Sequence, residues 1–60
     1  MIVNIKTKYQ DGKIEAPKWL LSAIAFYVSK GANHLALAGC NVHAKEAREI
    51  SVQIKDALFR

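Results

Sequence analysis

The residues of this chain best suited to chemistry are two histidines and one cysteine that lie close together in the sequence. His34, Cys40 and His43 are of the types that bind zinc, because neutral imidazole and thiolate are donors that this ion prefers. The spacing lacks a clear fourth ligand, and the chain contains no second cysteine. We therefore expect Cys40 to be a small buried apolar residue and the histidines to lie at turns or on the surface, and we expect neither a metal site nor a cofactor.

Cys40 and His43 also have the residue types of a nucleophile and its base. Such a pair needs a third group that orients the base, a substrate pocket and donors for an oxyanion. A chain of 60 residues leaves little scaffold for these parts. The glycines are isolated and form no phosphate-binding motif. We therefore predict that the protein is not an enzyme.

The stretch that precedes these residues alternates in the manner of a half-buried strand. Residues 2–9 are rich in Ile, Val, Thr and Tyr with a period of two. The pattern places Val3, Ile5, Thr7 and Tyr9 on an inner face. Asp11-Gly12 then predicts a tight turn, and residues 13–15 predict a short return strand.

The outer face of this hairpin is basic. Its polar residues are Asn4, Lys6, Lys8 and, on the return strand, Lys13. A basic strand followed by two helices resembles the order of elements in ribbon-helix-helix repressors. The resemblance implies that two subunits pair their N-terminal strands and lay the ribbon in the major groove of DNA, where these four residues would make the contacts. The alternative is that the lysines form a solvated edge that prevents aggregation.

Two helices are predicted after the hairpin. Pro17 suits a helix start, and the first helix is expected over residues 17–30, with Gly31 as its stop. Residues 33–39 read as a short helical turn or an extended connector. A second, amphipathic helix is expected over residues 42–59 with Asn41 as its cap. The predicted fold class is α+β, in a single small domain over residues 1–60.

The first predicted helix is apolar over most of its circumference, which indicates burial from two sides. In addition, 52% of the residues are hydrophobic, a high fraction for a chain that hides so little surface. We therefore predict a homodimer formed largely through this helix, with strand pairing between the subunits as an optional additional contact. The residues predicted to form the self-association or partner interface are Trp19, Leu20, Ala23, Ile24, Phe26 and Tyr27.

Composition narrows the remaining choices. The longest mostly apolar run, residues 19–28, is too short to cross a bilayer, so we expect no membrane partner. A single cysteine cannot form an internal disulfide, which fits the reducing cytoplasm. The sequence thus favours a small, non-catalytic cytoplasmic regulator or adaptor that binds an unidentified protein partner as a homodimer. The alternative function is DNA binding through the basic ribbon, which the net charge of +4 permits.

Overall fold

The computed structural model describes residues 1–59 and shows a hairpin followed by two helices. Strands β1 (Ile2–Lys6) and β2 (Asp11–Glu15) form a two-stranded antiparallel sheet. Helices α1 (Lys18–Leu37) and α2 (Asn41–Leu58) follow, and they pack on each other. This arrangement confirms the predicted α+β class. Among residues 1–59, neither helix combines the length and the apolar character that crossing a bilayer requires.

The hairpin turns earlier than the sequence predicted. The turn covers residues 7–10, whereas Asp11 and Gly12 belong to β2, so the prediction of a turn at Asp11-Gly12 was wrong. The cause is Thr7, whose hydroxyl oxygen accepts the N–H of Gln10 at 3.0 Å while its own N–H donates to the Gln10 carbonyl at 2.8 Å. Val3 and Ile5 are buried as expected, but Tyr9 lies in the turn and is exposed.

Helix α1 begins after Pro17, which is extended and precedes the first helical residue. The prediction that this helix ends at Gly31 was wrong, because it continues through residues 33–37. A glycine inside a helix costs about 1 kcal/mol relative to alanine. Ala32, the next residue, is fully buried, and the surrounding alanines and leucines are strong helix formers. Packing and propensity together therefore carry the helix past Gly31.

The helix ends instead at Gly39, whose φ of +84° is a left-handed conformation that suits glycine. The N–H of Gly39 donates to the carbonyl of Ala36 at 3.1 Å, and the N–H of Cys40 donates to that of Leu35 at 2.8 Å. These two bonds make a Schellman motif, which satisfies carbonyls that the helix end leaves free. Residues 33–37 are thus helical, which was one of the two predicted alternatives. They belong to α1, however, and do not form a separate helical turn.

The core forms where the two helices meet the inner face of the hairpin. Its buried members are Val3, Ile5, Ala16, Leu21, Ala25 and Ile54. Small residues line the contact between the helices, among them Ala25 and Ser51, and the Ser51 hydroxyl donates to the Ala25 carbonyl at 3.1 Å. This side of α1 is therefore covered within one chain. Its opposite side faces outward.

Candidate protein-binding surface

The outward side of α1 carries three exposed aromatic residues. Trp19, Phe26 and Tyr27 have exposed fractions of 72%, 57% and 69%. Because residues seven or eight positions apart return to the same side of a helix, these rings lie along one side of α1. Lys30 is also exposed and lies one turn beyond Phe26. We call this set, Trp19, Phe26, Tyr27 and Lys30, the aromatic face.

Within the aromatic face, Phe26 contacts both Tyr27 and Lys30. The rings of Phe26 and Tyr27 meet edge to face, with centroids 5.5 Å apart and an interplanar angle of 76°. The Nζ atom of Lys30 lies 5.5 Å from the centroid of Phe26, within the range of a cation–π interaction. The cation therefore lies beside the Phe26 ring, where it can meet an incoming carboxylate.

Of the other three predicted interface residues, Leu20 and Ala23 adjoin the aromatic face and Ile24 turns inward. Leu20 is 37% exposed and borders the aromatic face, and Ala23 is half-buried. Ile24 packs against the core cluster and belongs to the inward side. Helix α1 therefore has an apolar side that turns inward, which includes Ile24, and an apolar side that turns outward, which carries the aromatic face.

A shallow groove between α1 and α2 adjoins the aromatic face at Phe26. Its polar lining includes Ser22, Ser29, Lys30 and Lys55, and its apolar lining includes Leu58. Lysines approach this groove from both helices, and its lining residues within the described chain include no carboxylate. The groove and the aromatic face together present apolar surface with positive charge at its margins.

The basic residues of the hairpin are all exposed, but they do not form a uniformly basic surface. Asn4 pairs with Lys13 across the strands, and Lys6 pairs with Asp11. Directly paired residues lie on the same face of a sheet, so the carboxylates of Asp11 and Glu15 share the outer face with Lys6 and Lys13. Lys8 lies in the turn, with Nζ 5.9 Å from the ring centroid of Tyr9. The outer face of the strands thus carries both signs of charge.

Sequence patterns did not reveal that Gln53 contacts β1. The N–H of Lys6 donates to Gln53 Oε1 at 2.8 Å, and Gln53 Nε2 donates to the Lys6 carbonyl at 2.7 Å. A side chain of α2 thereby takes the place that a neighbouring strand would take at this point. No local signal identifies such a contact, because the two residues are 47 positions apart.

The three residues considered for metal or nucleophile chemistry are all exposed. The histidines lie on the surface as expected, but the prediction that Cys40 is buried was wrong. His34 lies in the last turn of α1, Cys40 precedes α2, and His43 lies in its first turn. Within residues 1–59, no group of three or more His, Cys, Asp or Glu residues is arranged to hold a metal ion. Comparison of the chain with models of protein families, with curated proteins and with solved structures finds no match.

Proposed function

We propose that this protein is a small, non-catalytic cytoplasmic regulator or adaptor that acts as a homodimer and binds another protein through the aromatic face of α1. The observation that carries the proposal is the exposure of Trp19, Phe26 and Tyr27 on one side of a helix. Tryptophan and tyrosine are enriched among the residues that dominate binding energy at protein interfaces. Their rings offer large apolar contact area at a small cost in side-chain entropy.

The charges of α1 support a partner with acidic side chains. The helix contains Lys18 and Lys30 and no aspartate or glutamate, and the adjoining groove adds Lys55. Two copies of the aromatic face would bring lysines together and offer them no carboxylate. A partner whose apolar residues are flanked by aspartate or glutamate would meet both the rings and the cations.

The exposed positions of His34, Cys40 and His43 support a non-catalytic role, because catalysis depends on a site that excludes water and holds its groups in place. Cytoplasmic location is inferred from the single cysteine. DNA binding through Asn4, Lys6, Lys8 and Lys13 remains the alternative function. The mixed charge of the hairpin's outer face favours it less than a uniformly basic face would.

A pull-down from lysate of the source cells tests the proposal with three forms of the protein. We expect the wild type to retain a protein partner and the double variant Trp19→Ser/Tyr27→Ser to lose it. Tyr9→Ser is the matched control, since Tyr9 is an equally exposed aromatic residue that lies in the hairpin turn. Retention of the same partner by the double variant would show that the aromatic face is not the binding surface.

A further inference from the structure

Strand β2 has one backbone edge that no other strand occupies in the described chain. The Thr7 N–H donates to the Gln10 carbonyl, and the Ala16 N–H donates to the Met1 carbonyl. These two hydrogen bonds continue the pairing of β1 with β2 at both ends in the same register. In an antiparallel pair of strands, residues whose N–H and C=O groups bond to the partner strand alternate with residues whose N–H and C=O groups point away from it. Consequently Gly12 and Ile14 bond to β1, whereas Asp11, Lys13 and Glu15 direct their N–H and C=O groups outward.

The opposite edge of the sheet is partly closed. By the same alternation, the outward backbone groups of β1 belong to Ile2, Asn4 and Lys6. Both groups of Lys6 are bonded to Gln53. A further strand at this edge would have to displace that side chain, so β2 offers the more accessible edge.

The underside of β2 is also open. Helix α2 packs against β1, and β2 lies on the far side of β1 from the Gln53 contact. Ile14 is only half-buried, and a hollow under the strand is lined by Gly12, Ile14 and Ile50. Ile14 does pack against the core, but β2 is only partly covered on this face and is unpaired on one edge. An isolated hairpin is marginally stable in water, so such a strand gains from a neighbour.

We propose that two copies of this chain pair antiparallel along β2, with Lys13 of each copy directly opposite Glu15 of the other. This inference rests on the homodimer in the proposed function and places its contact on β2, in place of the contact through the first helix that the sequence predicted. In this register Lys13 and Glu15 exchange backbone hydrogen bonds, and their side chains form ion pairs on the outer face. Two hairpins then become one four-stranded sheet.

Charge and packing select this register among those that the outward groups permit. Centring the two-fold axis on Lys13 would place the two lysines opposite each other and Asp11 opposite Glu15, so that like charges meet in every outward pair. Centring it on Gly12 would pair Asp11 with Lys13 but would bring two glycines together beneath the sheet. Centring it on Ile14 combines opposite charges on the outer face with contact between two isoleucines on the underside.

This dimer would leave the aromatic faces free. The contact uses β2, whereas Trp19, Phe26 and Tyr27 lie on α1. Each copy could then hold one partner, as an adaptor requires. The β2 contact and partner binding can therefore be disrupted separately, so the loss of one is distinguishable from the loss of the other.

Charge reversal tests the proposed register by sedimentation at several protein concentrations. We expect the wild type to dimerise and the variants Lys13→Glu and Glu15→Lys each to weaken dimerisation at least tenfold. The double variant Lys13→Glu/Glu15→Lys should restore it, because the ion pairs are re-formed with reversed signs. Lys8→Glu, which makes the same charge change in the turn, should leave dimerisation unchanged. Circular dichroism confirms that each variant is folded.

Cysteine cross-linking provides a second test that does not depend on charge. In a Cys40→Ser background, Ile14→Cys would place two thiols opposite each other at a non-hydrogen-bonded pair, where side chains are closest. Oxidised glutathione should therefore produce a covalent dimer with Ile14→Cys and much less with Gly12→Cys, which lies at the centre of the rival register.

Several results would overturn the proposal. They are a wild type that stays monomeric at every concentration, single charge reversals without effect, and a double variant that remains monomeric. Loss of the dimer in Trp19→Ser/Tyr27→Ser would instead place self-association on α1. Preferential cross-linking of Gly12→Cys would reject the register centred on Ile14.

Discussion

The side-chain amide of Gln53 forms hydrogen bonds to both the N–H and the C=O of Lys6, at 2.8 and 2.7 Å. The contact joins α2 to the free edge of β1. It therefore both fixes the hairpin on the helices and occupies backbone groups that another strand would need.

Removing this amide should lower stability modestly. We expect Gln53→Ala to reduce the free energy of unfolding by about 1 kcal/mol, because it removes two partly solvated hydrogen bonds. Urea denaturation measures the change. Lys6→Ala is the control, since it keeps the backbone groups that Gln53 binds, and it should stay within about 0.5 kcal/mol of the wild type. Equal losses in the two variants would mean that the lysine side chain, and not the amide contact, matters.

Two glycines should respond in opposite directions to substitution by alanine. Gly31 lies inside α1, and an added Cβ would meet nothing within 4 Å, so Gly31→Ala should stabilise the protein by about 0.5–1 kcal/mol. Gly39 has a φ of +84°, so Gly39→Ala should destabilise it by about 1–2 kcal/mol. Thermal unfolding of the two variants provides the comparison. A loss of stability in Gly31→Ala would show that α1 does not run straight through this position.

The close contact between the helices should not tolerate a larger residue at Ser51. This side chain is 3% exposed and its hydroxyl donates to the Ala25 carbonyl. We expect Ser51→Leu to cost about 1–3 kcal/mol through overpacking, as measured by urea denaturation. Val52→Leu is the matched control, because the next residue is 55% exposed and should change stability by less than about 0.5 kcal/mol. A well-tolerated leucine at position 51 would contradict the close approach of α1 and α2.

Trp19 should report partner binding directly, because it is the only tryptophan of the chain and is 72% exposed. We expect the emission of the free protein to be that of a solvated indole. Addition of the captured partner should shift it to shorter wavelength as the ring leaves water. The Lys30→Ala variant should bind more weakly and show a smaller shift at the same partner concentration. An unchanged emission on saturation would place the partner away from the aromatic face.

A titration with duplex DNA at several salt concentrations tests the alternative function. We expect weak binding with a shallow salt dependence, because Asp11 and Glu15 share the outer face of the hairpin with Lys6 and Lys13. Lys6→Ala and Lys13→Ala should change this weak binding little. Tight binding that falls steeply with salt and is lost in both variants would favour the ribbon-helix-helix interpretation over protein binding.

Sequence patterns were sufficient for the elements with a clear period. The alternation of Val3 and Ile5 predicted the first strand, and the spacing of Ile50 and Ile54 predicted the second helix nearly to its ends. These patterns work because the side chains on one face of a strand or helix recur at a spacing that depends only on the geometry of that element. The apolar character of residues 19–28 likewise indicated that α1 has two apolar sides.

Local signals failed where two of them competed. Asp11-Gly12 is a good turn sequence, but the hydrogen bonds of Thr7 place the turn three residues earlier, over residues 7–10. Gly31 is a good helix stop, but the burial of Ala32 carries the helix on to the Schellman motif at Gly39. At Gly31, the burial of the next residue outweighed a helix-propensity cost of about 1 kcal/mol. At the turn, hydrogen bonds within residues 7–10 outweighed the preference of Asp-Gly for a turn.

The sequence by itself determined the class of fold, the two-sided apolar character of α1 and the exposed position of the basic strand residues. Only the tertiary structure decided that Ile24 turns inward while Trp19 and Tyr27 turn outward, and that Gln53 closes the edge of β1 at Lys6. The physical reason is that the spacing of apolar residues shows that one side of a helix or strand is apolar, but it does not show which residues cover that side. Which side is covered depends on residues far away in the chain, which only the packed structure brings together.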